Sequence, residues 1–267
     1  MSHTPELPGL TAERDGAIAI VTLDRPARLN ALSRDLCTSL VEMARRLSTD
    51  PAVRSVVLTG RGAGFCAGAD LQDPAFVPHA GESRGAATRR FLEEHFNPVA
   101  QAWYALDRPL VVAVNGVAAG GGVGLALTGD FLLAAAGSSF VQVFTPKLAL
   151  VPDMGCSWLL PRRVGIARAK SLALLGDRVD GVRAAAWGLA DACVPDGDLL
   201  TEALVLARRL AAGPGAAQSA VKRLFADPPA LAAALAEEAR LQQALADHPD
   251  HAEGLQAFLE KRSPQYR

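Results

Sequence analysis

Short, largely apolar runs recur along the chain at residues 17–23, 53–58, 110–114 and 131–135, and each predicts a strand. Asp24-Arg25-Pro26 ends the first run. Ser33 is placed to cap a helix reaching about Ser48, which Asp50-Pro51 breaks. Residues 73–85, rich in Pro, Gly and His, predict a surface loop, and residues 86–106 a helical segment bent near Asn97-Pro98. Gly120-Gly121-Gly122 opens a helix that continues through Thr128. After Arg168 the pattern changes to Ala- and Leu-rich helices, around 181–190, 198–212, 214–226, 229–247 and 249–261. Strands alternating with helices indicate an α/β architecture, and the late helices suit a lid or an oligomerisation layer. No internal repeat stands out; the string Leu-Asp-Arg-Pro occurs at Leu23 and at Leu106 in unrelated contexts.

Composition narrows the picture. The 267 residues are half hydrophobic, which fits a large folded core and excludes a disordered chain. The net charge of -1 argues against a dedicated nucleic-acid binder. Cys37, Cys66, Cys156 and Cys193 form no CxxC pair and lack nearby His, so no zinc site and no other metal site is expected. Residues 1–10 lack the basic start and apolar run of a secretory signal, and no apolar stretch is long enough to span a membrane. A cytoplasmic protein with reduced thiols is expected.

The candidate chemistry lies in two small-residue loops. Phe65-Cys66-Ala67-Gly68-Ala69-Asp70-Leu71 follows the second predicted strand, and Asn115-Gly116-Val117-Ala118-Ala119-Gly120-Gly121-Gly122 follows the third. The second leads into a helix whose first amides have no intrahelical partner. Backbone N–H groups there favour negative charge. Two such loops side by side would offer two donors to one oxygen, an oxyanion hole. Either loop taken alone reads equally as a tight turn, and neither carries GxGxxG, so a dinucleotide site is not indicated. The residues by themselves reach an α/β enzyme with an anion or oxyanion site.

These blocks resemble the crotonase (enoyl-CoA hydratase/isomerase) family. The resemblance starts at Leu23-Asp24-Arg25-Pro26-Ala27-Arg28-Leu29-Asn30-Ala31-Leu32. It continues through Val56-Val57-Leu58-Thr59-Gly60, the two glycine loops and Leu150-Val151-Pro152-Asp153. It closes on Glu253-Gly254-Leu255-Gln256-Ala257-Phe258-Leu259-Glu260-Lys261-Arg262. The blocks are collinear over nearly the whole chain. The resemblance implies a spiral of ββα units over residues 1–195, with a helical trimerisation region over 196–267. It implies an acyl-coenzyme A thioester as substrate, no separate cofactor, and a homotrimer or dimer of trimers. Its two oxyanion amides map to Gly121 and to the first loop, where the Ala-Gly-Ala-Asp pattern favours Ala67 over Ala69. Arg28, Asn30 and Ala31 resemble the strip lining the coenzyme A nucleotide. The resemblance also implies that Ala69, Asp70, Leu71 and Gly120 of the two loops, and Thr145, contact the substrate. Phe258 and Lys261 resemble residues that wall the acyl pocket and reach a coenzyme A phosphate, often from a neighbouring subunit.

The chain departs from the hydratases of this family. Their two water-activating glutamates correspond to Gly124 and Thr145, neither of which is a carboxylate base. What remains is Asp153, whose place resembles the dienoyl-CoA isomerase and ring-epoxide phenylacetyl-CoA isomerase branches. The segments around Phe96-Asn97-Pro98-Val99 and Trp158-Leu159-Leu160-Pro161-Arg162 look closest to the phenylacetate branch. The related aryl-CoA dehalogenases carry Trp where this chain has Thr145. The resemblance therefore implies an acyl-CoA isomerase with Asp153 as single acid–base. The alternatives are a lyase, hydrolase or slow hydratase on the same scaffold, and a non-catalytic acyl-CoA binder. The bland reading of Asp153 is a helix N-cap.

Overall fold

A computed structural model describes residues 7–266; most of the stretch judged for a secretory signal, residues 1–6, lies outside it. Strands β1 (Leu10–Asp15), β2 (Ile18–Leu23), β3 (Ser55–Gly60), β5 (Leu110–Val114), β7 (Phe131–Ala135) and β10 (Ala192–Val194) form one sheet, in the order β1-β2-β3-β5-β7-β10. Strands β4 (Gly64–Cys66), β6 (Val117–Ala119), β8 (Ser139–Val141) and β9 (Val179–Asp180) form a second, in the order β4-β6-β8-β9. Only the outer strands β1 and β9 run antiparallel to their neighbours.

The chain winds as a spiral. Each of β3–β4, β5–β6 and β7–β8 places one strand in each sheet before helices follow. Helix α1 (Arg34–Thr49) precedes the first of these turns. Helices α2 (Arg84–Phe91) and α3 (Asn97–Tyr104), joined by a π-helical turn at Leu92–Phe96, follow β4. Helix α4 (Gly121–Leu127) follows β6, and α5 (Cys156–Val164) and α6 (Ile166–Leu175) follow β8. This is the ββα spiral expected of the crotonase resemblance.

The large sheet is covered on both faces, so its parallel strands are continuous apolar runs. Successive side chains alternate between faces. Val56, Leu58, Val112 and Val114 enter the main core, whereas Val57, Val111 and Ala113 meet the opposite side. Helix α7 (Gly181–Trp187) leads into β10, and α8 (Leu199–Ala211) covers that opposite side. The small residues Ala203 and Ala207 of α8 let it lie close to the sheet, where Ser55 Oγ donates to the Ala207 carbonyl over 2.9 Å.

Helices α9 (Gly215–Phe225), α10 (Pro228–Ala246) and α11 (Pro249–Leu259) complete the chain. Helix α10 packs along α2, and α11 against the π-helical turn Phe144–Leu148. Helices α10 and α11 thus pack on their own chain. Among the described residues no helix is long and apolar enough to cross a membrane.

Candidate functional site

The first glycine loop commits almost every amide. Ala67 N–H donates to the Leu29 carbonyl over 2.9 Å. Gly68 N–H points at the Cys66 sulfur. Asp70 N–H donates to the Leu32 carbonyl over 3.0 Å, and the Gly68 carbonyl accepts from Leu32 N–H over 2.7 Å. Between Ala67 and Asp70, Ala69 is left as the one amide without an acceptor among the described residues. The preference for Ala67 as a free donor is thereby corrected. The spacing could not reveal that strand-like pairing with Leu29 consumes its hydrogen.

The second loop resolves in the same way. Gly120, at φ 51°, donates its N–H to Val141 over 2.9 Å. Gly121 is the first residue of α4, so its amide has no intrahelical acceptor. The loops touch through glycine. A Cβ on Gly68, whose φ is +86°, would stand 2.6 Å from the Ala119 carbonyl oxygen and 3.4 Å from the Gly121 nitrogen. A Cβ on Gly122 would stand 2.1 Å from the Cys66 carbonyl oxygen. Only glycines permit this approach, which sets the amides of Ala69 and Gly121 on adjoining segments.

Asp153 faces this junction. A Cβ on Gly121 would lie 3.2 Å from Asp153 Oδ1, 3.0 Å from Met154 Cγ and 3.6 Å from Phe96 Cε2. Asp153 is 6% exposed. Its Oδ1 has no hydrogen-bond partner among the described residues, whereas Oδ2 accepts from Gln242 Nε2 over 3.4 Å. Burial raises the Asp153 pKa well above the usual carboxylate range, and the nearby Glu238 adds to the effect.

Asp153 caps no helix. Helix α5 begins at Cys156 with Gly155 as its N-cap, and no side chain of its own segment caps it. Glu238 of α10 takes that place, accepting from Gly155 N–H over 3.0 Å and from Ser157 N–H over 2.9 Å. Burial pushes Glu238 up to about 7, against the pull of those donors. Desolvation likewise holds the Cys66 thiol up at about 12, so it is no ready nucleophile beside the first loop.

The other candidates divide. Asn30 is fully buried at φ 57°; its Oδ1 accepts from Arg25 N–H over 2.8 Å, and its Nδ2 donates to the carbonyls of Arg61 and Gly64 over 3.0 and 2.8 Å. Asp70 pairs with Arg25 over 2.8 Å, and Arg25 also reaches the Ala31 carbonyl. These side chains hold the loops and have little left for a ligand. Arg28 is exposed and donates to Gln72 over 2.6 Å, beside a cleft of about 380 Å³ lined by Arg25, Asp70 and Asp73. Leu71 joins Phe144, Leu148, Leu150 and Ala246 in a separate apolar cluster. Thr145 donates its hydroxyl to the Leu150 carbonyl over 3.1 Å. Phe258 and Lys261 are exposed at the end of α11.

Glu238 and Gln242 escape a reading by motif, and Arg25, though within the first block of the resemblance, is given no role by it. Arg25 passes for part of a strand stop, and the other two lie in an Ala-rich helix without any motif. A larger groove of about 900 Å³ opens between Trp158, Arg162, Val221 and Phe225, but it contains neither Asp153 nor the free amides. Among the described residues, His, Cys, Asp and Glu side chains form no group of three or more able to hold a metal ion.

The chain as a whole resembles known proteins. The family profile of enoyl-CoA hydratase/isomerase matches residues 13–267. A protein of Rhodobacter capsulatus named probable enoyl-CoA hydratase is 42% identical over 253 residues, covering 93% of this chain and 94% of that one. The 1,2-epoxyphenylacetyl-CoA isomerase of Escherichia coli is 40% identical over 252 residues, with the same coverage. The crystal structure of an enoyl-CoA hydratase from Mycobacterium avium subsp. paratuberculosis superposes with a TM-score of 0.86 at 33% identity, covering 98% of this chain and 100% of that one.

Proposed function

This chain belongs to the enoyl-CoA hydratase/isomerase family, and from that premise we propose that it is an acyl-CoA isomerase with Asp153 as its single acid–base. The observation that carries the proposal is the unpartnered Oδ1 of a buried carboxyl set against Gly121, the first residue of α4. The thioester oxygen accepts from the amides of Ala69 and Gly121, and each such donor is worth about 3 kcal/mol as charge develops on it. The Asp153 carboxylate removes a proton from the carbon next to the thioester. The electron pair passes into a dienolate whose oxygen the amides hold. The protonated Asp153 returns the same proton to the far end of the alkene, so atoms balance without a co-reactant. With a ring epoxide in place of the alkene, the same acid assists opening of the strained ring.

The isomerase reading is favoured over hydration by Gly124, which is no carboxylate and where even a Cβ would stand 2.5 Å from Met154 Cβ. The substrate class is an unsaturated or ring-epoxidised acyl-CoA. Exposed Leu224 and Phe225 on α9 support an assembly of copies, a trimer or a dimer of trimers, readable by light scattering. Incubation with cis-3-enoyl-CoA and ring-epoxide phenylacetyl-CoA, followed by mass and ultraviolet spectrum, tests the reaction class. An isomer of unchanged mass supports the proposal, and a product heavier by one water contradicts it.

A further inference from the structure

Helix α10 reaches the Asp153 segment at two points one helical turn apart. Gln242 Nε2 donates to the Val151 carbonyl over 2.7 Å and to Asp153 Oδ2 over 3.4 Å. Glu238 holds Gly155 and Ser157 on the other side of Asp153. Residues four apart share a helix face, so one face of α10 grips the segment on both sides of the carboxyl. The grip matters because Met154 at φ 53° and Gly155 at φ 75° are both left-handed, a conformation the segment would not keep without support. Glu238 and Gln242 are themselves 4% and 1% exposed, and α10 is fixed in turn against α2.

We infer that Glu238 and Gln242 are positioning residues for Asp153, anchoring Oδ2 and its segment so that Oδ1 alone is presented beside Gly121. This rests on the reading of Asp153 as the acid–base. An anchored Oδ2 gives the carboxyl one orientation and one reactive oxygen. Glu238 also supplies a negative charge that holds the Asp153 proton more tightly, alongside burial. The other titratable groups coupled to this centre are Cys156 on α5 and Cys37 on α1; both thiols are driven up by burial and stay neutral. Among the described residues Glu238 is thus the one charged group coupled to Asp153.

The test compares Gln242→Met, Gln242→Glu, Glu238→Gln and Asp153→Asn in the full-length protein, on the acyl-CoA that the wild type isomerises. Gln242→Met keeps the volume and removes the donor; kcat should fall about 10- to 100-fold with KM little changed. Glu238→Gln removes a like charge, so the acid limb of the kcat profile should move to lower pH. Gln242→Glu adds one, so that limb should move to higher pH, each by roughly half a pH unit or more. A packing role alone predicts falls in melting temperature with no opposed movement of the limb. Should Glu238→Gln not fold, the two Gln242 variants decide the matter. Loss of turnover in Asp153→Asn, with wild-type kcat and pH profile in both Gln242 variants, overturns the positioning roles and leaves Asp153 intact. Retained turnover in Asp153→Asn overturns the underlying reading instead.

Discussion

A Cβ on Gly124 would stand 2.5 Å from Cβ of Met154 and 2.6 Å from its carbonyl oxygen. The first water-activating carboxylate of the hydratases is therefore more than absent by substitution. The backbone that carries Asp153 has come down onto the place it would occupy. The left-handed Met154, next in the chain to Asp153, thus packs directly on Gly124, and any side chain there must displace it.

Gly124→Ala is accordingly expected to lower stability by about 1–3 kcal/mol, as overpacking against backbone does. Gly124→Glu should gain no crotonyl-CoA hydration and should unfold more readily still. Chemical denaturation and a hydration assay on both variants check this. A stable Gly124→Glu protein with hydratase turnover would show that the site has room for hydration.

Asn30 is expected to act on the fold. It satisfies a buried and a part-buried carbonyl and the Arg25 amide while standing at φ 57°. Asn30→Ala should cost about 2–4 kcal/mol through the groups left unpaired. Asn30→Gly should cost about 1 kcal/mol less, because glycine accepts the left-handed conformation. Equal losses for the two variants would mean that backbone conformation plays no part.

The raised pKa of Asp153 makes a prediction about stability. A carboxyl whose pKa is higher folded than unfolded contributes fully below its unfolded value, near 4, and that contribution is lost as pH rises. Glu238, at about 7, adds a second loss of the same sign between about 4.5 and 7. Asp153→Asn keeps an acceptor for Gln242 and has no proton to lose. It should match the wild type near pH 4 and exceed it in denaturant midpoint at pH 7.5. An advantage of the same size at both pH values would show that burial of this carboxyl carries no cost.

Much of this was legible in the sequence for identifiable reasons. Ser33 caps α1 as its side chain predicts, accepting from Leu36 N–H over 3.3 Å, and the run at Leu110–Val114 is a strand buried along its length. Strand β1 was not visible, because Leu10–Asp15 is an outer strand whose Ala12, Glu13 and Arg14 are exposed. Strands β4, β6 and β8 have three residues each, too short for any period to register. The Leu92–Phe96 π-turn begins five residues before the Asn97-Pro98 bend that the proline announces. Within the site, Asp153 was legible through a family pattern. The choice between Ala67 and Ala69 was not, since it depends on where one hydrogen points. Glu238 and Gln242 act through space from a helix more than 80 residues away, and nothing in an Ala-rich segment marks which polar residues turn inward.

The most direct measurement is kcat for Asp153→Asn on an acyl-CoA that the wild type isomerises, with melting temperature and coenzyme A affinity taken on the same preparation. Positioned acid–base groups contribute about 10²–10⁴ in rate, and Asn cannot accept a proton at neutral pH. The account predicts a fall of that size in kcat, with KM, affinity and melting temperature kept or improved. A folded variant that retains more than about a tenth of wild-type kcat would contradict it and place the proton transfer on another group.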